Sequence, residues 1–73
     1  MNWYIQWPDV RDTYASFEEA CDVVMKWRKN AVIVWDNIKK CHVIFASKAR
    51  QKENQPMGTI YNDDARNNGK PVL

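Results

Sequence analysis

Residues 51–73 read QKENQPMGTIYNDDARNNGKPVL, and how this stretch is read decides how much of the 73-residue chain can form a core. It is rich in Asn, Gln and charge, the composition of a segment that buries too little apolar surface to offset its ordering entropy. Its only apolar cluster is Met57, Ile60 and Tyr61. Read this way, residues 48–73 are a flexible, disordered polar tail, and that cluster is a short linear motif that orders on a partner. The folded domain is then residues 1–47, close to the lower size limit for a chain that folds without a disulfide or metal. A chain stopped near residue 50 is expected to stay folded.

Working back from the tail, the apolar material is concentrated at the other end. Eight of the nine aromatic residues precede residue 46, including all four Trp. Large rings bury about 150–250 Å² each, which lets a small core hold. Up to Ser47 the chain carries six basic and six acidic residues, so the net charge of +2 resides in the tail. A core without a clustered basic footprint argues against nucleic acid as the first ligand.

NWYIQW (2–7) alternates, with Trp3, Ile5 and Trp7 on one side and Asn2, Tyr4 and Gln6 on the other. That is the period of a half-buried strand, ended by Pro8, with residues 8–15 as a connection. SFEEACDVVMKWRKN (16–30) predicts a helix over 17–29. Ser16 and Glu19 have the spacing of a capping box, and Asn30 is placed to end the helix in a left-handed conformation. Phe17, Ala20, Cys21, Val24 and Trp27 form its apolar face at 100° per residue. AVIVW (31–35) and KCHVIFA (40–46) read as a hairpin around a four-residue loop, Asp36 to Lys39. That register sets Trp35 against Lys40 and Val34 against Cys41.

The fold class expected is α+β: a three-stranded sheet in β-α-β-β order with the helix on one face. Trp3, Ile5, Trp7, Val32, Val34, Cys41, Val43 and Phe45 are placed under the helix. The other face then carries Tyr4, Ile33, Trp35, His42 and Ile44. Lys40 lies across from Trp35, its stem able to wall one side of a groove. An apolar patch of this kind marks an interaction surface, so these six residues are the candidate partner-binding site, with Met57, Ile60 and Tyr61 as the tail contact.

No enzymatic constellation is legible. Cys41 and His42 are neighbours in a strand and point to opposite faces, so they make no catalytic dyad. Cys21, Cys41 and His42 fall short of a four-ligand metal site, and no cofactor motif occurs. Both cysteines are expected to be free and reduced. No signal peptide or membrane-spanning run is present, and the chain reads as a cytoplasmic monomer.

The NWYIQW strand, the SFEEACDVVMKW helix, the AVIVWDNIKKCHVIF hairpin and the polar end after Ser47 together resemble the small RNA polymerase-binding transcription regulators of lytic Xanthomonas phages. The resemblance spans the chain in length and layout. It implies a protein without catalytic activity, acting in the host cytoplasm, that binds host RNA polymerase, blocks initiation at host promoters and acts as an antiterminator. It also implies that the folded part holds the N-terminal segment of the largest polymerase subunit. The tail would then reach a second site near the RNA exit or flap, with a span of about 25–30 Å for a flexible segment. Three other readings stay open on the residues alone: a nucleic-acid module with stacking aromatics, an inhibitor of another host protein, and a small homodimer with a structural role.

Overall fold

The computed structural model describes residues 2–62. They form β1 (Trp3–Gln6), β2 (Arg11–Tyr14), α1 (Phe17–Trp27), β3 (Val32–Asp36), β4 (Cys41–Phe45), α2 (Lys48–Lys52) and β5 (Gly58–Asn62). The class is α+β. The sheet has five strands, not three, in the order β2-β1-β5-β4-β3, and every neighbouring pair is antiparallel. Of the stretch expected to be a tail, 48–62 is built into the fold, and its strand β5 is the middle of the sheet. Residues 63–73 lie outside the described residues.

β5 joins two hairpins. Ile60 sits opposite Ile5 of β1 on one side and opposite His42 of β4 on the other. A strand covered on both faces needs apolar residues in succession rather than in alternation. Ile60 is fully buried, and its neighbour Tyr61 is buried on the opposite face. Gly58 serves the same closeness: a Cβ there would meet the Gln6 carbonyl oxygen at 2.7 Å and the Trp7 ring at 3.3 Å. β2 comes from the segment expected to be a connection. It is an edge strand whose first three residues are exposed, so no apolar period marks it. The turn that folds it back is closed by the Trp7 N–H donating to the Val10 carbonyl at 2.8 Å.

α1 starts where its cap requires. The Glu19 N–H donates to Ser16 Oγ at 3.1 Å, and Glu19 Oε1 accepts from the Ala15 N–H at 3.0 Å. Ser16→Ala should therefore destabilise the protein by about 1 kcal/mol, read as a lower midpoint in urea with an unchanged slope. The helix ends two residues earlier than expected. Its C-cap is Arg28, in extended geometry, and Asn30 is not left-handed, since the positive-φ residues among those described are Lys40 and Asn54. Ala20 and Val24 are fully buried against the sheet, with Ile5, Ile44 and Ile60 in the same cluster. Trp27, expected on the apolar face, is 76% exposed.

The β3–β4 hairpin carries two corrections. Trp35 pairs with His42, Val34 with Val43 and Val32 with Phe45, so the register is displaced by two residues and the loop is Asn37–Lys40. Asp36 sets this turn: its Oδ1 accepts from the Ile38 and Lys39 N–H groups at 2.9 and 3.0 Å, and Lys40 closes it at φ 59°. A two-residue displacement keeps the side chains grouped as expected, but the groups occupy the opposite faces. Ile33, Trp35, His42 and Ile44 are on the α1 side, where His42 meets the Phe17 ring. Val32, Val34, Cys41, Val43 and Phe45 face away from α1. Both sets are apolar, so alternation alone does not say which one the helix covers. The second face is not bare either: Cys41, Val43 and Phe45 are buried, and the α2–β5 connection brings Asn54 and Pro56 beside Val43 and Phe45. The Met57 N–H, donating to the Ile44 carbonyl at 2.7 Å, steers that connection back into the sheet.

Candidate functional site

An apolar groove of about 430 Å³ opens between the end of α1 and the β1–β2 turn. Its walls are Trp27 with Val23 on one side and Trp7, Pro8 and Val10 on the other, and Met57 lines it at the entrance to β5. Three separate segments thus build it. Trp7 is held by its indole Nε1–H donating to Asp12 Oδ2 at 3.2 Å, and the same oxygen accepts from the Tyr14 hydroxyl at 3.4 Å. Burial, followed by the Asp12 charge, pushes the Tyr14 phenol above its ordinary range, so it stays a donor. Trp27 and Val10 are 76% and 53% exposed, which leaves both walls available to a ligand. Asp12 and Arg28 lie at the rim with opposite charges. Such a groove suits a short apolar segment, with the flexible thioether of Met57 adapting to its shape.

A second feature on the α1 side is a row of rings. Trp3 and Phe17 have centroids 5.2 Å apart, Phe17 and His42 4.5 Å, and His42 and Trp35 5.1 Å. The row runs from β1, over the start of α1, to the β3 edge, where Trp35 is 51% exposed. Burial holds the His42 imidazole below its ordinary value. The unfolded chain, with its histidine near pKa 6.5, takes up a proton before the folded one as pH falls. The contribution of His42 is therefore complete above about pH 6.5 and is lost as pH drops through that value toward the lower folded pKa. The melting temperature should decline between about pH 7.5 and 5, and His42→Gln should remove that slope. Asp36, held below the ordinary carboxylate range chiefly by the Lys39 N–H, acts in a separate window below about pH 4.

The six expected partner-binding residues are not brought together. Ile33, Trp35, His42 and Ile44 share a face, but it is the helix side, and Ile44 is fully buried. Tyr4 lies on the other face, stacked on Tyr61 at 5.2 Å with the Arg11 guanidinium 4.8 Å from its ring centre. Lys40 is in the turn, its Nζ donating to Asn37 Oδ1 at 3.0 Å. Met57, Ile60 and Tyr61 belong to the fold, Ile60 and Tyr61 as buried strand residues and Met57 as part of the groove. The groove residues missed from sequence are Trp7, Val10, Val23 and Trp27. One signal was present: Trp27 is flanked by Lys26, Arg28 and Lys29, the charged company of an exposed helix end.

Cys41 and His42 point to opposite faces, and neither cysteine is joined in a disulfide. Burial raises the pKa of the Cys21 thiol, which lowers its reactivity. Among the described residues no three His, Cys, Asp or Glu side chains gather to hold a metal, and no helix is long and apolar enough to cross a membrane. Comparison with family models, curated proteins and solved structures finds no match.

Proposed function

We propose that this chain is a small non-catalytic regulatory protein that binds a larger protein assembly through the Trp7–Trp27 groove. The partner implied by the sequence resemblance is bacterial RNA polymerase, held by the N-terminal segment of its largest subunit in the host cytoplasm. Binding there inhibits initiation at host promoters and promotes antitermination. The observation that carries the binding reading is Trp27, 76% exposed and facing Trp7 across an apolar groove. In so small a domain an exposed tryptophan contributes little to stability, whereas tryptophan is enriched at binding hot spots.

The test is titration of purified bacterial RNA polymerase, and of a peptide from the N-terminus of its largest subunit, with the full chain and with Trp27→Ala. The substitution should weaken binding by about 2 kcal/mol, roughly thirtyfold, while the melting temperature stays within about a degree or two of the parent, as for a surface change. Equal affinity of the two forms would move the site away from the groove, and no binding to the polymerase would remove that partner. A loss of affinity by orders of magnitude on a modest rise in salt would indicate nucleic acid instead.

A further inference from the structure

The two edges of the sheet are built differently. At the β2 edge Arg11, Asp12 and Thr13 are exposed, and Asp12 sits opposite Ile5, so a charge stands on the helix-side face of the strand. Charged edge residues, especially inward-pointing ones, are a common guard against pairing with another chain. The β3 edge has no such guard. It reads Val32-Ile33-Val34-Trp35-Asp36, five residues in which the only charge is terminal, with no proline and no glycine. β3 pairs with β4 alone. In an antiparallel pair alternate residues turn both backbone groups away from the partner strand, and among the described residues no strand takes up those of β3.

We infer that β3 is a self-association edge, on which a second copy of this chain pairs β3 to β3 in antiparallel register about a two-fold axis at Val34. An isologous contact of this kind requires the strand to be complementary to its own reverse, and this one is. Val34 meets the second copy's Val34. Ile33 meets the second copy's Trp35 on the helix side, an aromatic–β-branched cross-strand pair of the favourable kind. That pairing covers Trp35, otherwise 51% exposed at the end of the ring row. Val32 meets the second copy's Asp36, and the Val32 end is flanked by Lys29 and Lys48. Among the described residues neither lysine has an ion-pair partner, so Lys29 and Lys48 of one copy arrive near the Asp36 carboxylate of the other, which its own turn already sets beside Lys39. The ten-stranded sheet that results has a guarded β2 edge at each end. The Trp7–Trp27 groove lies toward the β2 side and stays open in the pair, so this inference does not depend on what the groove binds.

Sedimentation equilibrium of the full chain tests it. The mass should rise with concentration from 8.6 kDa toward twice that value, and Trp35→Lys should hold it at one chain while leaving the circular dichroism spectrum unchanged. A mass that stays at one chain throughout, or a dimer indifferent to Trp35→Lys, overturns the inference. Should Trp35→Lys unfold, a cross-link decides. Val34→Cys, with Cys21→Ala and Cys41→Ala, places two thiols directly opposite each other, with Cα atoms about 4.5–5.5 Å apart, inside the range a disulfide spans. Mild oxidation should then yield a covalent dimer in high yield, with Thr13→Cys on the β2 edge as the low-yield control. Equal yields from the two positions overturn it.

Discussion

A chain ended at Asn54 will not fold. It keeps β1 to β4 and both helices but loses β5, the strand that pairs with β1 on one side and β4 on the other. What is left is two separate two-stranded hairpins, each at best marginally stable alone in water, and a helix that has lost Ile60 from the cluster it packs on. The shortened chain should show no cooperative thermal transition and the amide spectrum of an unfolded protein. This reverses the expectation from composition that a chain stopped near residue 50 remains folded. A sharp melting transition in the Asn54-terminated chain would mean that the hairpins have another way to meet.

Ile60→Ala should have the largest effect of any single truncation to alanine. Ile60 is fully buried and touches both halves of the sheet through Ile5 and His42. Removing a buried branched side chain costs about 2–5 kcal/mol, through lost transfer energy and the cavity left behind. A protein of this length has about 4–11 kcal/mol of stability in total, so the substitution removes about half of it. The melting temperature should fall by roughly 10–30 °C. Val10→Ala, at an exposed position of the groove wall, should stay within about 0.5 kcal/mol of the parent. If the two substitutions cost the same, β5 is not the centre of the core.

Some elements of this fold show in the sequence and others do not. α1 was legible because three independent signals agree over Ser16 to Trp27: the Ser16–Glu19 cap, the apolar spacing and the charge order. β1 was legible from the alternation of Trp3, Ile5 and Trp7, and the side-chain grouping of β3 and β4 from their β-branched runs. β5 was not, because its two core residues, Ile60 and Tyr61, are adjacent rather than alternating and lie among polar neighbours. Composition averaged over residues 51–73 hides a two-residue apolar step that matters only once both of its neighbours are in place. β2 was hidden for the opposite reason, since an exposed edge strand needs no apolar pattern. Of the residues that line the candidate groove, only Met57 was singled out as a contact residue from the sequence. Trp35 is half exposed but lies on the helix side, a face that could not be assigned while both faces of the hairpin were apolar. The groove was missed because it is assembled from the end of α1, the β1–β2 turn and Met57. Met57 reaches it only because β5 returns to the sheet.

Both the fold and the groove therefore depend on β5 being the middle strand, and amide hydrogen exchange at β5 in the full chain measures this directly. Flanked by strands on both sides, the β5 amides that bond to β1 and β4 should be among the slowest to exchange, opening only with global unfolding, on a par with those of β4 between Cys41 and Phe45. Exchange throughout residues 58–62 at the rate of an unstructured peptide, while β4 stays protected, would contradict the account.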